Sequence, residues 1–354
     1  MKNNKINGTK KLIAILVILI IVAGAVLVYK FVKDEQNTET SVEEKNEEIT
    51  ATVEEKKVQI FQGNDRPFAV MIDNHSDAWP QAGLQKAYMV YEIIVEGSET
   101  RLMALFKGVD VEKIGPVRSA RHYFLDYAME NDAIYAHFGQ SPQAESDLKT
   151  YNINDINGIA EDGTTFWRVK DKSAPHNAAT STKNLIQSAN SKKYRMTSDK
   201  KSVLNYVTDE VDLEDGQSAT TVTIPHSALQ IVKYVYDEET KVYKRYARNK
   251  EQTDWDTKNT ITAKNIIVTF CDNYTLADSE NKGRQGLKNV GTFDGYYITN
   301  GKSIKIKCIK EDRDKQTIYK DLQGNEINVN DGNTFVSICP IAAKVMIEGA
   351  TATE

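Results

Sequence analysis

Only three cysteines occur in 354 residues, Cys271, Cys308 and Cys339, and none stands in a C-x-x-C spacing, which excludes a zinc ribbon and a dense disulfide framework. One bridge with a spare thiol and three buried free thiols remain as the alternatives. No cysteine precedes Cys271, so the N-terminal region offers no residue for lipid attachment. Walker, dinucleotide-binding, nucleophile-elbow and Cys/His catalytic signatures are also missing, so no reaction follows from motifs and no cofactor is expected. Basic residues are scarce as well. The net charge is −5, but residues 1–33 hold six of the 45 Lys and Arg and no acid, leaving 39 basic against 50 acidic residues, or −11, on the rest. Such a body repels nucleic acid.

What is present begins with an unbroken apolar run, Leu12–Tyr29, preceded by Lys2, Lys5, Lys10 and Lys11 and followed by Lys30 and Lys33. Eighteen helical residues span roughly 27 Å, close to a bilayer core. The lysines place the N-terminus in the cytoplasm and the body outside it. The expectation is a single-pass cell-membrane protein with an extracytoplasmic body. A cleaved secretory signal ending near Ala23-Gly24-Ala25 is the alternative, disfavoured because Val26–Tyr29 extend the run past that site.

From 34 to 58 the chain carries nine acids, three lysines and no aromatic residue, which reads as a flexible or partly helical acidic stalk. The expected organisation is 1–33 tip and anchor, 34–59 stalk, 60–218 first domain, 219–346 second domain and 347–354 tail. Short apolar runs at Phe68–Ile72, Tyr88–Val95 and Leu102–Phe106 predict buried strands, and helices are expected over Ala120–Asn131, from Ser141-Pro142, and over Ser181–Asn190. This predicts an α+β or α/β first domain with a largely buried sheet. Alternating runs such as Val232–Tyr236 and Val242–Arg248, with Asn265–Phe270, Ser303–Cys308 and Thr334–Cys339, predict a predominantly β second domain.

Candidate functional residues cluster at strand ends and the loops after them: Asp73, Glu92, Glu96, Arg101, Arg118, Arg121, His137, His176 and Asn177. Arg118 and Arg121, between Gly115-Pro116 and a helix start, suit a carboxylate, phosphate or pyrophosphate. The structural alternative has the arginines pairing with Glu92, Glu96 or Asp126. Asp73, His75, His137 and His176 are of metal-ligating type, but none of them stands in HExxH, HxH or DxD spacing, so no metal is expected.

Arg66-Pro67-Phe68 through Asp73-Asn74-His75, Pro80-Gln81-Ala82-Gly83-Leu84, Thr100-Arg101, Gly115 to Arg121 and Ala174-Pro175-His176-Asn177 together resemble the YerB-like family of bacterial lipoproteins. The resemblance covers most of residues 60–345. It implies a two-domain extracytoplasmic protein, mostly of Gram-positive bacteria, whose activity is not established. This chain departs from the lipoprotein pattern in lacking the lipobox cysteine. A looser analogy links its anchor, buried strands and arginine loop to the LytR-CpsA-Psr wall-polymer transferases. The expected function is binding of an anionic envelope ligand, or scaffolding. A phosphoryl or glycopolymer transferase or hydrolase acting on cell-wall precursors, and a cell-surface protein-interaction adaptor, are the alternatives.

Overall fold

The computed structural model describes residues 23–30, 32–33, 56–277 and 279–349, and divides into residues 1–56 and 57–354. In the first part, residues 23–30 and 32–33 are helical and exposed. Among the described residues no helix is long and apolar enough to cross a membrane. The expected span's residues 12–22 and the stalk's residues 34–55 lie outside the described set.

In the second part, the runs predicted as strands form β1 (Phe68–Asp73), β2 (Met89–Ile94) and β3 (Thr100–Phe106), followed by β4 (Ile134–His137) and β5 (Asp155–Asn157). Every residue of β1 to β4 is buried. That explains their continuous apolar character, since strands covered on both faces need no polar alternation. From the later half come β6 (Thr221–Pro225), β7 (Ile231–Asp237), β8 (Val242–Ala247), β9 (Asn265–Thr275) and β10 (Gly291–Thr299). They are followed by β11 (Lys302–Lys310), β12 (Ile318–Lys320), β13 (Thr334–Pro340) and β14 (Met346–Glu348).

Strands of residues 219–346 share a sheet with those of the first half, in the order β12-β11-β10-β9-β13-β2-β3-β1-β4-β5, with Gln217–Ser218 and Gln285–Lys288 at its margins. The junction is the parallel pair β2 and β13, in register from Met89 with Thr334 to Ile93 with Ile338. Hydrophobic periodicity marks a strand as buried but does not name its neighbour, which is why the continuity was not legible. A smaller sheet contains β8-β7-β6-β14. Ile347 and Glu348, read as tail, pair there with Val222 and Thr221. At the other end, Gln59 and Ile60 donate their amides to the Asp331 carboxylate at 2.7 and 2.9 Å, tying the end of the expected stalk to the body.

Alternation along the large sheet builds two cores. Ala69, Met71, Tyr91, Ile93, Met103, Ile267 and Val336 share one with Tyr123, Phe124 and Leu148. These last come from α1 (His122–Glu130) and α2 (Pro142–Thr150), whose start is set by Ser141 accepting from the Ala144 amide and by proline in the first turn. Val70, Ile72, Leu102, Ile266 and Phe335 share the other core with Val222, Val232 and Tyr234 of the small sheet, and with Leu185 and Ala189 of α3 (Thr182–Ser191). All three cysteines are buried and free, so no bridge forms. Burial raises the Cys271 and Cys308 thiols to about 12, far from thiolate chemistry.

Candidate functional site

The site grows from the end of β1. Asp73 pairs in register with Arg101 at the start of the antiparallel β3, which puts an acid and a base side by side where the sheet stops. The segment Gly115–Ala120 is then stitched onto this end. Asp73 donates its amide to the Pro116 carbonyl at 2.8 Å, Arg118 donates to Met71 at 2.9 Å, and Val117 donates to Ala178 at 2.7 Å. The last contact explains Gly115: its φ is +148°, and a Cβ there would lie 2.8 Å from the Ala178 carbonyl oxygen. On the far side Ala120 donates to Gly139 and Phe138 to Arg118, both at 2.9 Å. Arg118 and Arg121 are thus set on a rigid rail beside the carboxyl ends of β1 and β4, where parallel strands commonly present ligand sites.

Asp73, Glu96, Arg101, Arg118 and Arg121 converge on one cavity of about 450 Å³, joined by His75, Glu99, Ser119, Gln140, Lys282 and Arg284 among others. Arg121 grips Glu96 through both carboxylate oxygens, Nε to Oε1 at 2.6 Å and Nη2 to Oε2 at 3.0 Å. Burial pushes the Glu96 carboxyl up, but the hydrogen bonds and charge of Arg121 outweigh it and hold the group below its ordinary value. Arg118 Nε lies 3.0 Å from Asp73 Oδ2. Lys282 and Arg284 both pair with Glu280. Arg101 differs. Its Nη1 donates to the Ser119 carbonyl at 2.7 Å, and among the described residues no carboxylate lies within ion-pair distance of it. Burial lowers it to about 10, with the neighbouring Arg121 and Arg118 charges adding to the effect against Glu96 and Asp73.

Beside the cavity stands a histidine pair. The hairpin Trp167–Arg168 with Ala178–Ala179 brings His176 onto Asp73, whose Oδ2 lies 2.7 Å from His176 Nδ1. The His75 and His176 rings stack at 4.6 Å and 18°. His75 Nδ1 accepts the Asp77 amide at 3.2 Å, capping the short turn Ser76–Ala78, and lies 3.7 Å from Asp77 Oδ2.

Both halves of the chain match domains described as protein of unknown function (DUF3048): the N-terminal domain at residues 51–195 and the C-terminal domain at 220–336. The chain belongs to the DUF3048 family. YerB of Bacillus subtilis (strain 168), provisionally named a lipoprotein, is 29% identical over 283 residues, which are 78% of this chain and 81% of that protein. The crystal structure of YerB from Bacillus subtilis superposes with a TM-score of 0.71 at 29% identity, covering 80% of this chain and 94% of that one. The mostly β architecture with few helices is therefore that of the DUF3048 relative.

Three sequence candidates stand away from the cavity. Glu92 points into the junction between the two DUF3048 halves, fully buried, where Arg245 of β8 donates from Nη2 at 2.6 Å and Thr100 from Oγ1 at 2.8 Å. Burial pushes its carboxyl up, yet the Arg245 charge prevails and the group stays below its ordinary value. His137 is buried between the Gly139 carbonyl at 2.8 Å and Asp155 Oδ2 at 3.0 Å, fastening β4 to β5. Asn177 accepts from Arg168 Nη1 at 2.9 Å on the hairpin. Conversely, sequence reasoning missed Glu99, Asp77, Lys282 and Arg284. The basic Lys282-Gly283-Arg284 turn was a usable signal, but its distance of more than 160 residues from Arg118 hid the connection.

Proposed function

We propose that this DUF3048 protein is held at the cell membrane by Leu12–Tyr29, with its body outside the cytoplasm, and that the arginine-lined cavity binds an anionic envelope ligand. The observation that carries the binding reading is Arg101: a buried guanidinium with no carboxylate within ion-pair distance among the described residues, flanked by Arg118 and Arg121. With Arg118 and Arg121 already facing Asp73 and Glu96, an anion there compensates the Arg101 charge and accepts charge-assisted hydrogen bonds. Binding rather than catalysis is favoured because the cavity's two serines are committed. Ser119 Oγ donates to the Phe138 carbonyl at 3.0 Å, and Ser141 Oγ caps α2.

Pyrophosphate titrated calorimetrically into the full chain is the direct probe. The double variant Arg118→Ala with Arg121→Ala is expected to bind at least about tenfold more weakly, since hydrogen bonds to charged groups contribute about 1.5–3 kcal/mol each. Unchanged affinity in a folded double variant, or no binding by the parent chain, overturns the reading. Unfolding of the variant would support the structural ion-pair role instead.

The anchor has its own test. After an alkaline carbonate wash the full chain should stay in the membrane pellet at full mass, whereas release, or a mass lacking about the first 25 residues, would favour a cleaved signal.

A further inference from the structure

We propose that His75, Asp77 and His176 form a binding site for a divalent transition-metal ion at the rim of the arginine cavity. One ligand atom from each of the three lies within 4.8 Å of the other two. The site stands on its own geometry and does not depend on the anion reading.

Asp73 supplies the strongest argument. Its Oδ2 lies 2.7 Å from His176 Nδ1, so in the neutral imidazole the carboxylate accepts the Nδ1 proton and the lone pair stands on Nε2. A carboxylate behind a histidine is the usual outer support of a histidine–metal bond, fixing the tautomer and raising ligand basicity. Asp73 is itself braced: Oδ1 accepts the His75 amide at 3.1 Å, and Arg118 Nε lies 3.0 Å from Oδ2. One carboxylate therefore orients both histidines, one by its ring and the other by its backbone.

His75 has its lone pair on the correct side. Because Nδ1 accepts the Asp77 amide, that nitrogen is unprotonated, and it faces the Asp77 carboxylate 3.7 Å away. The amide contact is long, 3.2 Å, and metal coordination replaces it at small cost. An oxygen and a nitrogen each about 2.1 Å from a tetrahedral ion lie about 3.4 Å apart, close to the 3.7 Å of this pair, while the stacked His75 and His176 rings must tilt out of parallel for both lone pairs to meet one ion. The Asp77 side chain is 69% exposed and His75 38%, which leaves an entry path from solvent.

Two imidazoles and one carboxylate suit Zn²⁺ and neighbouring ions rather than Mg²⁺ or Ca²⁺, which prefer all-oxygen sites. Three protein ligands also leave one tetrahedral position open. That position is left to water, and His75 is the ligand shared with the cavity lining. Sequence spacing concealed the site because His75 and His176 come from strand-end loops about a hundred residues apart.

The test is calorimetric titration of ZnCl₂ into the full chain freed of metal by chelation. One ion should bind per chain, and the His75→Ala with His176→Ala variant should bind at least tenfold more weakly, while His122→Ala, altered outside the site, binds as the parent does. Asp77→Asn, at an exposed position, gives an independent reading if the double variant misfolds, and should also weaken binding. Cobalt provides a spectroscopic check: Co²⁺ in the parent should show the visible absorption of a tetrahedral site, absent in the Asp77 variant. No zinc uptake by the parent chain, or undiminished uptake by a folded histidine or Asp77 variant, overturns the proposal. Retention of zinc by Arg121→Ala, together with loss of pyrophosphate binding, would separate this site from the anion cavity.

Discussion

Expressed without residues 219–354, the first half of the chain should fail to fold into a cooperative unit. The truncation strips β2 of its parallel partner β13 along five register positions, and so exposes the middle of a sheet as an edge. It also orphans buried charges. Glu92 loses Arg245, and Glu130 of α1 loses the Lys310 ammonium at 2.8 Å together with the Thr317 amide and hydroxyl at 3.0 and 2.7 Å. Asp126 loses Arg313. Both cores lose members as well: Ile267, Tyr297 and Val336 from one, Val222, Tyr234 and Phe335 from the other. At about 1.5–3 kcal/mol for each large buried apolar side chain, the loss of these six alone is about as large as the whole 5–15 kcal/mol stability of an ordinary domain. Residues 57–218 alone should therefore lack near-UV circular dichroism and a sharp thermal transition. A fragment showing both would mean that the halves are separable domains, and that a partner-binding role for the second half could be tested by simple deletion.

The second large effect is expected at the Glu92–Arg245 pair. The side chains are 1% and 0% exposed, and Arg245 also donates from Nε to the Tyr234 hydroxyl at 3.2 Å. His226 lies 3.9 Å from the same carboxylate, but burial lowers its pKa despite the attraction of Glu92, so it remains neutral and Arg245 carries the compensation. Replacing Arg245 with methionine leaves an uncompensated buried carboxylate, and the expected loss is about 3–5 kcal/mol in urea unfolding at neutral pH. Replacing both, Glu92→Met with Arg245→Met, should restore much of it, because two desolvation penalties disappear together. A single variant as stable as the parent would sink this account.

Acid dependence follows from the same pair. Glu92 is held below its ordinary 4.5 in the folded chain, so its stabilising contribution is complete above that value and is lost as the pH falls through the lower folded value. Glu92→Gln should accordingly show a flatter loss of stability below pH 4.5 than the parent. An equally steep acid limb in both proteins would assign that dependence to other carboxylates.

The arrangement around Asp73-Asn74-His75 shows how the junction and the cavity are joined. Asp73 faces His176 and Arg118. Asn74 turns the other way, donating from Nδ2 to Thr100 Oγ1 at 2.7 Å and to Glu92 Oε1 at 3.2 Å, while its Oδ1 accepts from Trp79 and Gln81 at 3.1 and 3.0 Å. Consecutive residues of an extended chain point to opposite sides, so one tripeptide serves the cavity, the buried junction and the histidine pair. Glu99 extends the link on the cavity wall, where it accepts from Arg248 and Gln230 of the second half.

What the sequence determined by itself is local. The apolar runs at Phe68–Ile72 and Leu102–Phe106 became strands within a residue or two. Ser141 and Ser181 capped helices where their spacing placed them, because backbone sterics, capping and hydrophobic period act over windows of a few residues. The same windows marked Asp73, Arg101, Arg118 and Arg121 as polar groups at the ends of buried strands. Tertiary structure decided the rest. It set β13 against β2, turned Glu92 away from the cavity to meet Arg245 about 150 residues onward, carried Lys282 and Arg284 to the arginines, and laid His176 on His75. Those meetings depend on how two cores close over one sheet, and a buried strand or a lone charge carries no local mark of the distant partner that packing will bring to it.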